Sequence, residues 1–194
     1  FPLGDTTKVD IRKEAEARGL AVAQKPDSHD ICFVPSGDNA GWLRERLGSE
    51  SGSILDEDGK KLGSHKGAYT YTIGQRKGLN VGGTKEGLFI IATDVESNTI
   101  YTGQAHNHPG LFRKALKIEP NEIHWVREDL RLKNGDKMEV LVRIRYRQAL
   151  QKATIYQFDS GLYMEFEEPQ SAITAGQFAA WYIKDELVGS GVIS

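Results

Sequence analysis

The alternation of apolar and polar positions divides the chain into three stretches of different texture. In the first, residues 8–18 follow Asp5-Thr6-Thr7 and read as a capped helix. Thr7 and Asp10 stand at capping-box spacing, although Glu or Gln is commoner at the second place, and Gly19 is positioned to stop the helix. Leu20-Ala21-Val22-Ala23 is short and apolar, the pattern of a buried strand. A polar loop covers 25–30, and Ile31-Cys32-Phe33-Val34 is a second apolar run ended by Pro35-Ser36-Gly37. A helix, a strand and a short apolar run make a piece of an α/β layer.

The second stretch is mixed. Residues 38–47 read as a short helix with Trp42, Leu43 and Leu47 apolar and Gly48 after it. Asp58-Gly59 between Ile54-Leu55 and Leu62 is a hairpin signal. Tyr69-Thr70-Tyr71-Thr72-Ile73 is strand-like, and 74–83 is basic and rich in glycine. Leu88-Phe89-Ile90-Ile91-Ala92 and Thr99-Ile100-Tyr101-Thr102 flank Glu96-Ser97-Asn98 as a second hairpin. The third stretch begins after His106-Asn107-His108-Pro109-Gly110 and is a series of short strands: 116–118, 122–125, 137–147, 151–158, 162–166, 178–183 and 186–193. Turns at Asn134-Gly135, Asp159-Ser160-Gly161 and Lys184-Asp185 separate several of them, the spacing of a barrel or sandwich.

Composition narrows the functional classes. A chain of 194 residues supplies one or two domains and buries about 70% of its unfolded surface. With 39% hydrophobic and 27% charged residues it is globular rather than disordered. No run of 18 apolar residues is present, so no helix of membrane-spanning length is expected. A net charge of −2 excludes a wholesale polycationic grip on nucleic acid but leaves room for a local basic patch. The single cysteine, Cys32, excludes an internal disulfide and a multi-cysteine zinc site. Phe1-Pro2-Leu3-Gly4 has neither a Met nor the basic and apolar regions of a signal peptide. It reads as a cut through a larger protein, with an N-terminal part expected before it.

Three groups of residues carry candidate chemistry. Cys32 is either a buried thiol in a strand or a nucleophile or sulfur carrier beside a loop. Asp27 and Asp30 oppose a thiolate there, whereas Lys25 and His29 favour one. In Arg143-Ile144-Arg145-Tyr146-Arg147, an extended chain places the three arginines on one face. Between 127 and 152 there are eight basic and four acidic residues, an excess of +4. That stripe is either a solvated barrel face or a phosphate-binding surface, since guanidinium forks match phosphate oxygens. Thr72-Ile73-Gly74-Gln75-Arg76-Lys77-Gly78-Leu79 is a basic glycine turn without P-loop or dinucleotide spacing. His106 and His108 have no acidic partner close in sequence, which argues against a metal site.

Lys25-Pro26-Asp27-Ser28-His29-Asp30-Ile31-Cys32-Phe33, combined with Tyr71-Thr72-Ile73-Gly74-Gln75-Arg76-Lys77-Gly78-Leu79, resembles the tRNA-specific 2-thiouridylase family. Phe1-Pro2-Leu3-Gly4-Asp5, Arg145-Tyr146-Arg147-Gln148, Ala172-Ile173-Thr174-Ala175-Gly176-Gln177 and Val188-Gly189-Ser190-Gly191-Val192-Ile193 extend the resemblance over essentially the whole chain. His29 departs from it, the family more often showing Gln.

The resemblance implies an α+β, mostly β architecture. Residues 1–36 would be the C-terminal tail of an α/β ATP-pyrophosphatase domain, 37–110 a small α+β central domain, and 111–194 a tRNA-binding antiparallel β-barrel. It implies a cytoplasmic enzyme that uses ATP and Mg2+ to adenylate the C2 oxygen of the wobble uridine, position 34, so that AMP leaves as sulfur is delivered to C2. Cys32 would carry the persulfide, supplied by a persulfide carrier or cysteine desulfurase. A second cysteine, absent from these 194 residues, would release the sulfur and close a disulfide. The ATP site would lie in the preceding region, leaving this stretch inactive alone. Arg145, Tyr146 and Gln177 would contact tRNA, with Arg143, Arg147, Arg76 and Lys77 as further candidates. The rival readings are a non-enzymatic RNA-binding or translation-factor-like barrel and a purely structural domain. The first explains the arginine strand equally well but does not account for the motif around Cys32.

Overall fold

The computed structural model describes residues 2–26, 34, 38–146 and 148–194. The chain forms two compact units, Phe1–Leu47 and Gly48–Ser194. In the first, α1 (Lys8–Ala17) is capped as its sequence requires. The Thr7 hydroxyl oxygen accepts the Asp10 N–H at 3.3 Å and donates to the Asp10 carboxylate at 2.5 Å. Asp10 is one methylene shorter than Glu and takes the hydroxyl, where a capping-box Glu would take the backbone N–H. Gly19 ends the helix at φ +66°. α2 (Asn39–Leu47) starts from Asp38, whose carboxylate accepts the Gly41 N–H at 2.8 Å.

The strand expected over 20–23 is instead a turn. The Ala23 N–H bonds the Leu20 carbonyl, and the Arg12 guanidinium takes the carbonyls of Ala23 and Lys25 at 3.1 and 2.9 Å. Those acceptors are consumed by a side chain, so no ladder forms on them. The second apolar run, including Cys32, lies outside the described residues apart from Val34, which is buried.

The second unit holds a four-stranded sheet and a closed barrel. β1 (Gly52–Leu55) and β2 (Lys61–His65) form the first hairpin, β3 (Leu88–Asp94) and β4 (Thr99–Gln104) the second. The order is β2-β1-β4-β3, with β1 and β4 parallel. Ile54, Ala68, Leu79, Leu88, Ile90 and Ile100 form its core. Asn98 at φ +50° ties the hairpin turn to the rest, accepting the Ala68 N–H and donating to the Glu50 carbonyl.

The strand expected over 69–73 is a single 3-10 turn, Ala68–Thr70, followed by irregular chain. Gly67 at φ +114° turns the backbone away from an extended path, and Thr70 locks the turn through the Gly67 carbonyl. The chain meets the β3 edge only at Gly74 and Gln75, through Gly74 N–H to Ile90 C=O and Ile90 N–H to Gln75 C=O.

The barrel strands are β5 (Phe112–Trp125), β6 (Lys137–Arg143), β7 (Gln151–Phe158), β8 (Gly161–Ser171), β9 (Phe178–Ile183) and β10 (Glu186–Ile193). They close antiparallel as β10-β5-β8-β7-β6-β9, which leaves no free edge. The α+β, mostly β class follows from the two helices, the sheet and this barrel. Inward-facing Ile118, Val142, Ile155, Leu162, Met164, Phe166, Trp181 and Val188 fill the interior. Trp125 and Trp181 meet edge to face at 5.4 Å.

Two strand expectations change. The runs 116–118 and 122–125 belong to one strand, β5, which carries Pro120 where the β10 register shifts between Gly191 and Ile193. A bulge tolerates the missing proline N–H. The strand expected to reach 147 ends at Arg143, because the Gln148 side-chain carbonyl takes the Ile144 N–H at 3.0 Å.

A candidate nucleic-acid interface at one end of the barrel

Three segments far apart in sequence meet where β6 ends and β9 begins. Arg143 pairs with Ala180 across β6 and β9, so Arg145 and Tyr146 leave one strand beside the place where Gln177 and Phe178 enter the next. The connection from β8 to β9, residues 172–177, lies across this end, and Ile173 packs onto the barrel core. Arg145 is hooked onto the start of that connection. Its Nη2 donates to the Ser171 carbonyl at 2.7 Å and to the Ser171 hydroxyl at 3.3 Å. The same connection touches the small sheet: a Cβ on Gly74, at φ +84°, would lie 2.9 Å from that of Ala172.

Gln148 holds the loop that carries Arg145 and Tyr146. While its side-chain carbonyl accepts the Ile144 N–H, its amide donates to Gln170 at 3.0 Å. Gln170 is buried and donates in turn to the Glu168 carbonyl at 2.8 Å. Gln151 closes the loop base by donating to the Ala149 carbonyl at 2.9 Å. Sequence reading did not find Gln170, since nothing local distinguishes a glutamine that braces a loop 22 residues away.

The arginines do not line one strand face. Arg143 is on the outer face of β6, half-buried, with its Nε buried and without a hydrogen-bond partner among the described residues. Arg145 and Tyr146 are in the following bend, exposed, Tyr146 to 87%. Arg147 lies outside the described residues. Much of the expected basic stripe is neutralised by carboxylates: Arg127 by Asp129 and Glu186, Arg131 by Glu128, Lys152 by Glu167. The same pairing with Arg127 lowers the Asp129 carboxyl below its ordinary range. Arg145 has no carboxylate partner among the described residues, and its Nε and Nη1 have no protein acceptor there. The cationic surface is thus narrower than the charge count indicates, and at this end of the barrel it presents Arg143 and Arg145.

Gln177 is exposed on a fixed backbone, its N–H bonded to the Thr174 carbonyl and its carbonyl to the Ile193 N–H. In the glycine turn, Gln75 folds onto its own loop. It accepts the Thr72 N–H at 3.1 Å and donates to the Lys77 carbonyl at 2.9 Å. Lys77 and Arg76 are both exposed, and the Arg76 guanidinium lies against Gly87, where a Cβ would fall 2.8 Å from its Nε. His108 does have an acidic neighbour in space: Glu57 lies 2.8 Å from its Nε2 while its Nδ1 accepts the Gly110 N–H. That leaves the ring capping a turn. No cluster of three or more metal-ligating side chains occurs among the described residues. No helix there is long and apolar enough to cross a membrane.

Three family models match in succession: a tRNA methyl transferase HUP domain over 1–36, a tRNA methyl transferase PRC-barrel domain over 40–104, and an aminomethyltransferase beta-barrel domain over 115–193. A protein of Flavobacterium johnsoniae named tRNA-specific 2-thiouridylase MnmA is 49% identical, over all of this chain and 58% of its own length. Proteins of the same name from Christiangramia forsetii and Karelsulcia muelleri are 42% and 40% identical, likewise over all of this chain and 58% and 57% of their own lengths. The chain belongs to the tRNA-specific 2-thiouridylase family.

It spans a little under three fifths of the length of these curated relatives. In this thiouridylase-family chain, the convergence at the barrel end draws on two of the three matched stretches. The glycine turn falls in the second, and the Arg145 loop and the 172–177 connection in the third. Helix α2 lies almost wholly in the second match but belongs to the first compact unit.

Proposed function

We propose that this chain serves in the ATP-dependent 2-thiolation of the wobble uridine of tRNA, with Cys32 as the persulfide carrier and the barrel end as a tRNA contact. The observation that carries the proposal is the convergence of Arg145, Tyr146 and Gln177 at one rim. The matched division of the chain and the names of its relatives support it. The family descriptions speak of methyl transfer and the relatives' names of thiolation. Thiolation is favoured because the relatives named for it match all of this chain at 40–49% identity, and Cys32 supplies a thiol able to carry a sulfane sulfur.

Each rim residue brings a different chemistry. Arg145 is held by Ser171 and keeps Nε and Nη1 for a phosphate, so little conformational freedom is lost on binding. Tyr146 presents a ring to a splayed base, and Gln177 an amide that both donates and accepts. Lys77 adds charge from the neighbouring loop, with Arg143, Arg147 and Arg76 in supporting positions. We place the domain limits at 36 and 110, and the work in the cytoplasm, where tRNA and a reducing environment coexist.

Sulfur transfer calls for a persulfide on Cys32, supplied by a persulfide carrier or a cysteine desulfurase. Its terminal sulfur replaces the C2 oxygen of uridine once that oxygen is activated, and a neighbouring thiol cleaves the S–S bond. The second thiol is not among these 194 residues, which contain one cysteine. The described residues give ATP no cradle: α1 follows Thr7 and α2 follows Asp38, neither a glycine-rich phosphate loop. We assign the activation step to the preceding region that the family resemblance implies.

Binding of an unmodified tRNA transcript tests the proposal. The chain is expected to bind weakly and with a clear salt dependence. Arg145→Glu should weaken binding and make the log–log salt slope shallower by about one. Binding that ignores both salt and that change overturns the RNA-contact role. Isothermal titration with ATP and Mg2+ should show no micromolar site on this chain, and a defined site would overturn the assignment of ATP to residues outside it.

A further inference from the structure

Phe178 stands at the same rim with no structural reason to be there. It opens β9 at 63% exposure, on the outer face of the barrel, while its neighbours Ala179 and Trp181 point inward and are fully buried. An outward position at a strand end is ordinarily polar. Among the described residues the other exposed phenylalanine, Phe158 at 44%, has a ring partner in Tyr163 at 5.7 Å. Phe178 has no ring partner among the described residues. Its surroundings are those of an RNA contact: Gln177 precedes it, Arg143 pairs with the next outward residue of β9, and Arg145 and Tyr146 leave the adjacent strand beside it.

We infer that Phe178 is a stacking platform for an unpaired nucleobase of the bound RNA, working beside Tyr146. The inference rests on the proposed tRNA contact and extends it. A phenyl ring has no donor or acceptor, so it reads the face of a base and not its edge. It therefore requires single-stranded bases and tolerates their identity. A base on Phe178 would lie one strand away from the phosphate held by Arg145. The rim then grips the backbone by charge and the bases by stacking.

The test measures binding of the 194-residue chain to an unmodified tRNA transcript and to an RNA duplex of matched length. Phe178→Ala should weaken tRNA binding about 5- to 150-fold and leave duplex binding unchanged. Phe178→Trp should retain tRNA affinity and show quenched indole emission on binding. Trp125 and Trp181 are buried and give a steady background, and the half-buried Trp42 is removed by measuring in a Trp42→Phe chain. Phe158→Ala, at the far end of β7, should change neither ligand's affinity. If Phe178→Ala binds tRNA as the unaltered chain does while Arg145→Glu does not, stacking is overturned and the RNA contact stands. If Phe178→Ala weakens duplex and tRNA alike, or Phe178→Trp shows no quenching, stacking is likewise overturned. If neither Phe178→Ala nor Arg145→Glu affects tRNA binding, the RNA contact itself fails, and the stacking platform with it.

Discussion

Single residues at the barrel end and in the small sheet have roles that identity alone does not reveal. His65 is buried, and its Nδ1 accepts the Gly67 N–H, so the ring is neutral with its proton on Nε2. Burial lowers its pKa, partly offset by nearby backbone carbonyls of Ser53 and Asn98. The unfolded chain therefore takes up a proton at a higher pH than the folded one. Stability is intact above the ordinary histidine pKa, about 6.5, and is lost as pH falls through it. The melting temperature should thus drop between pH 7.5 and pH 5, and His65→Gln should reduce that drop; a pH dependence unchanged by the variant contradicts the assignment. Cys32 is the sharpest residue-scale case. In the full-length protein, Cys32→Ser should leave tRNA binding intact and abolish sulfur transfer, because a hydroxyl cannot carry a sulfane sulfur. A role in packing alone predicts the reverse, a loss of about 1 kcal/mol or more in stability with activity kept in the folded fraction. Melting temperature and 2-thiouridine content measured on one preparation separate the two.

Secondary elements were legible where their own residues determine them. The Thr7–Asp10 cap, the Asp58-Gly59 and Asn98 turns, and the limits of β7, β9 and β10 follow from local chemistry, and the structure reproduces them. Two misreadings have local causes, the turn at Gly67 (φ +114°) ahead of 69–73 and the bulge at Pro120 that joins two short runs into β5. In the other two, a side chain from outside the run takes a backbone group that a strand would need: Arg12 takes the carbonyls of Ala23 and Lys25, and Gln148 takes the Ile144 N–H. The site was half-legible for the same reason. The sequence singled out Arg145, Tyr146 and Gln177, which the fold brings to one rim, but it did not reveal the stripe geometry, since the carboxylates that pair Arg127 and Lys152 come from other strands. Gly74 illustrates the element scale. Its φ of +84° and the nearness of Ala172 leave no room for a side chain. Gly74→Ala should destabilise the chain by about 1–2 kcal/mol and also weaken tRNA binding by displacing the basic turn. Unchanged melting would show that the turn yields freely.

At the scale of the molecule, the question is whether the small sheet and the barrel act as one body. They have separate hydrophobic cores, one around Ile54, Ile90 and Ile100 and one around Val142, Ile155 and Trp181. Yet they belong to one compact unit, Gly48–Ser194. The seam between them includes the Gly74–Ala172 approach. That seam runs through the segment onto which Arg145 is hooked, so the shape of the rim depends on both cores. Cooperative unfolding follows if the seam is strong enough to transmit the loss of one core to the other. Ile100 is fully buried in the small sheet. Ile100→Ala should cost about 2–5 kcal/mol, which for a domain of this size lowers the melting temperature by about 5–15 °C. In a Trp42→Phe background, emission comes from Trp125 and Trp181 and reports the barrel alone of these two cores. A single transition, shifted in that emission by a change in the other core, is the expected result. A barrel transition at its original temperature would mean that the seam is too weak to couple them. The barrel rim would then keep its RNA affinity in the Ile100→Ala protein even above the temperature at which the sheet has melted.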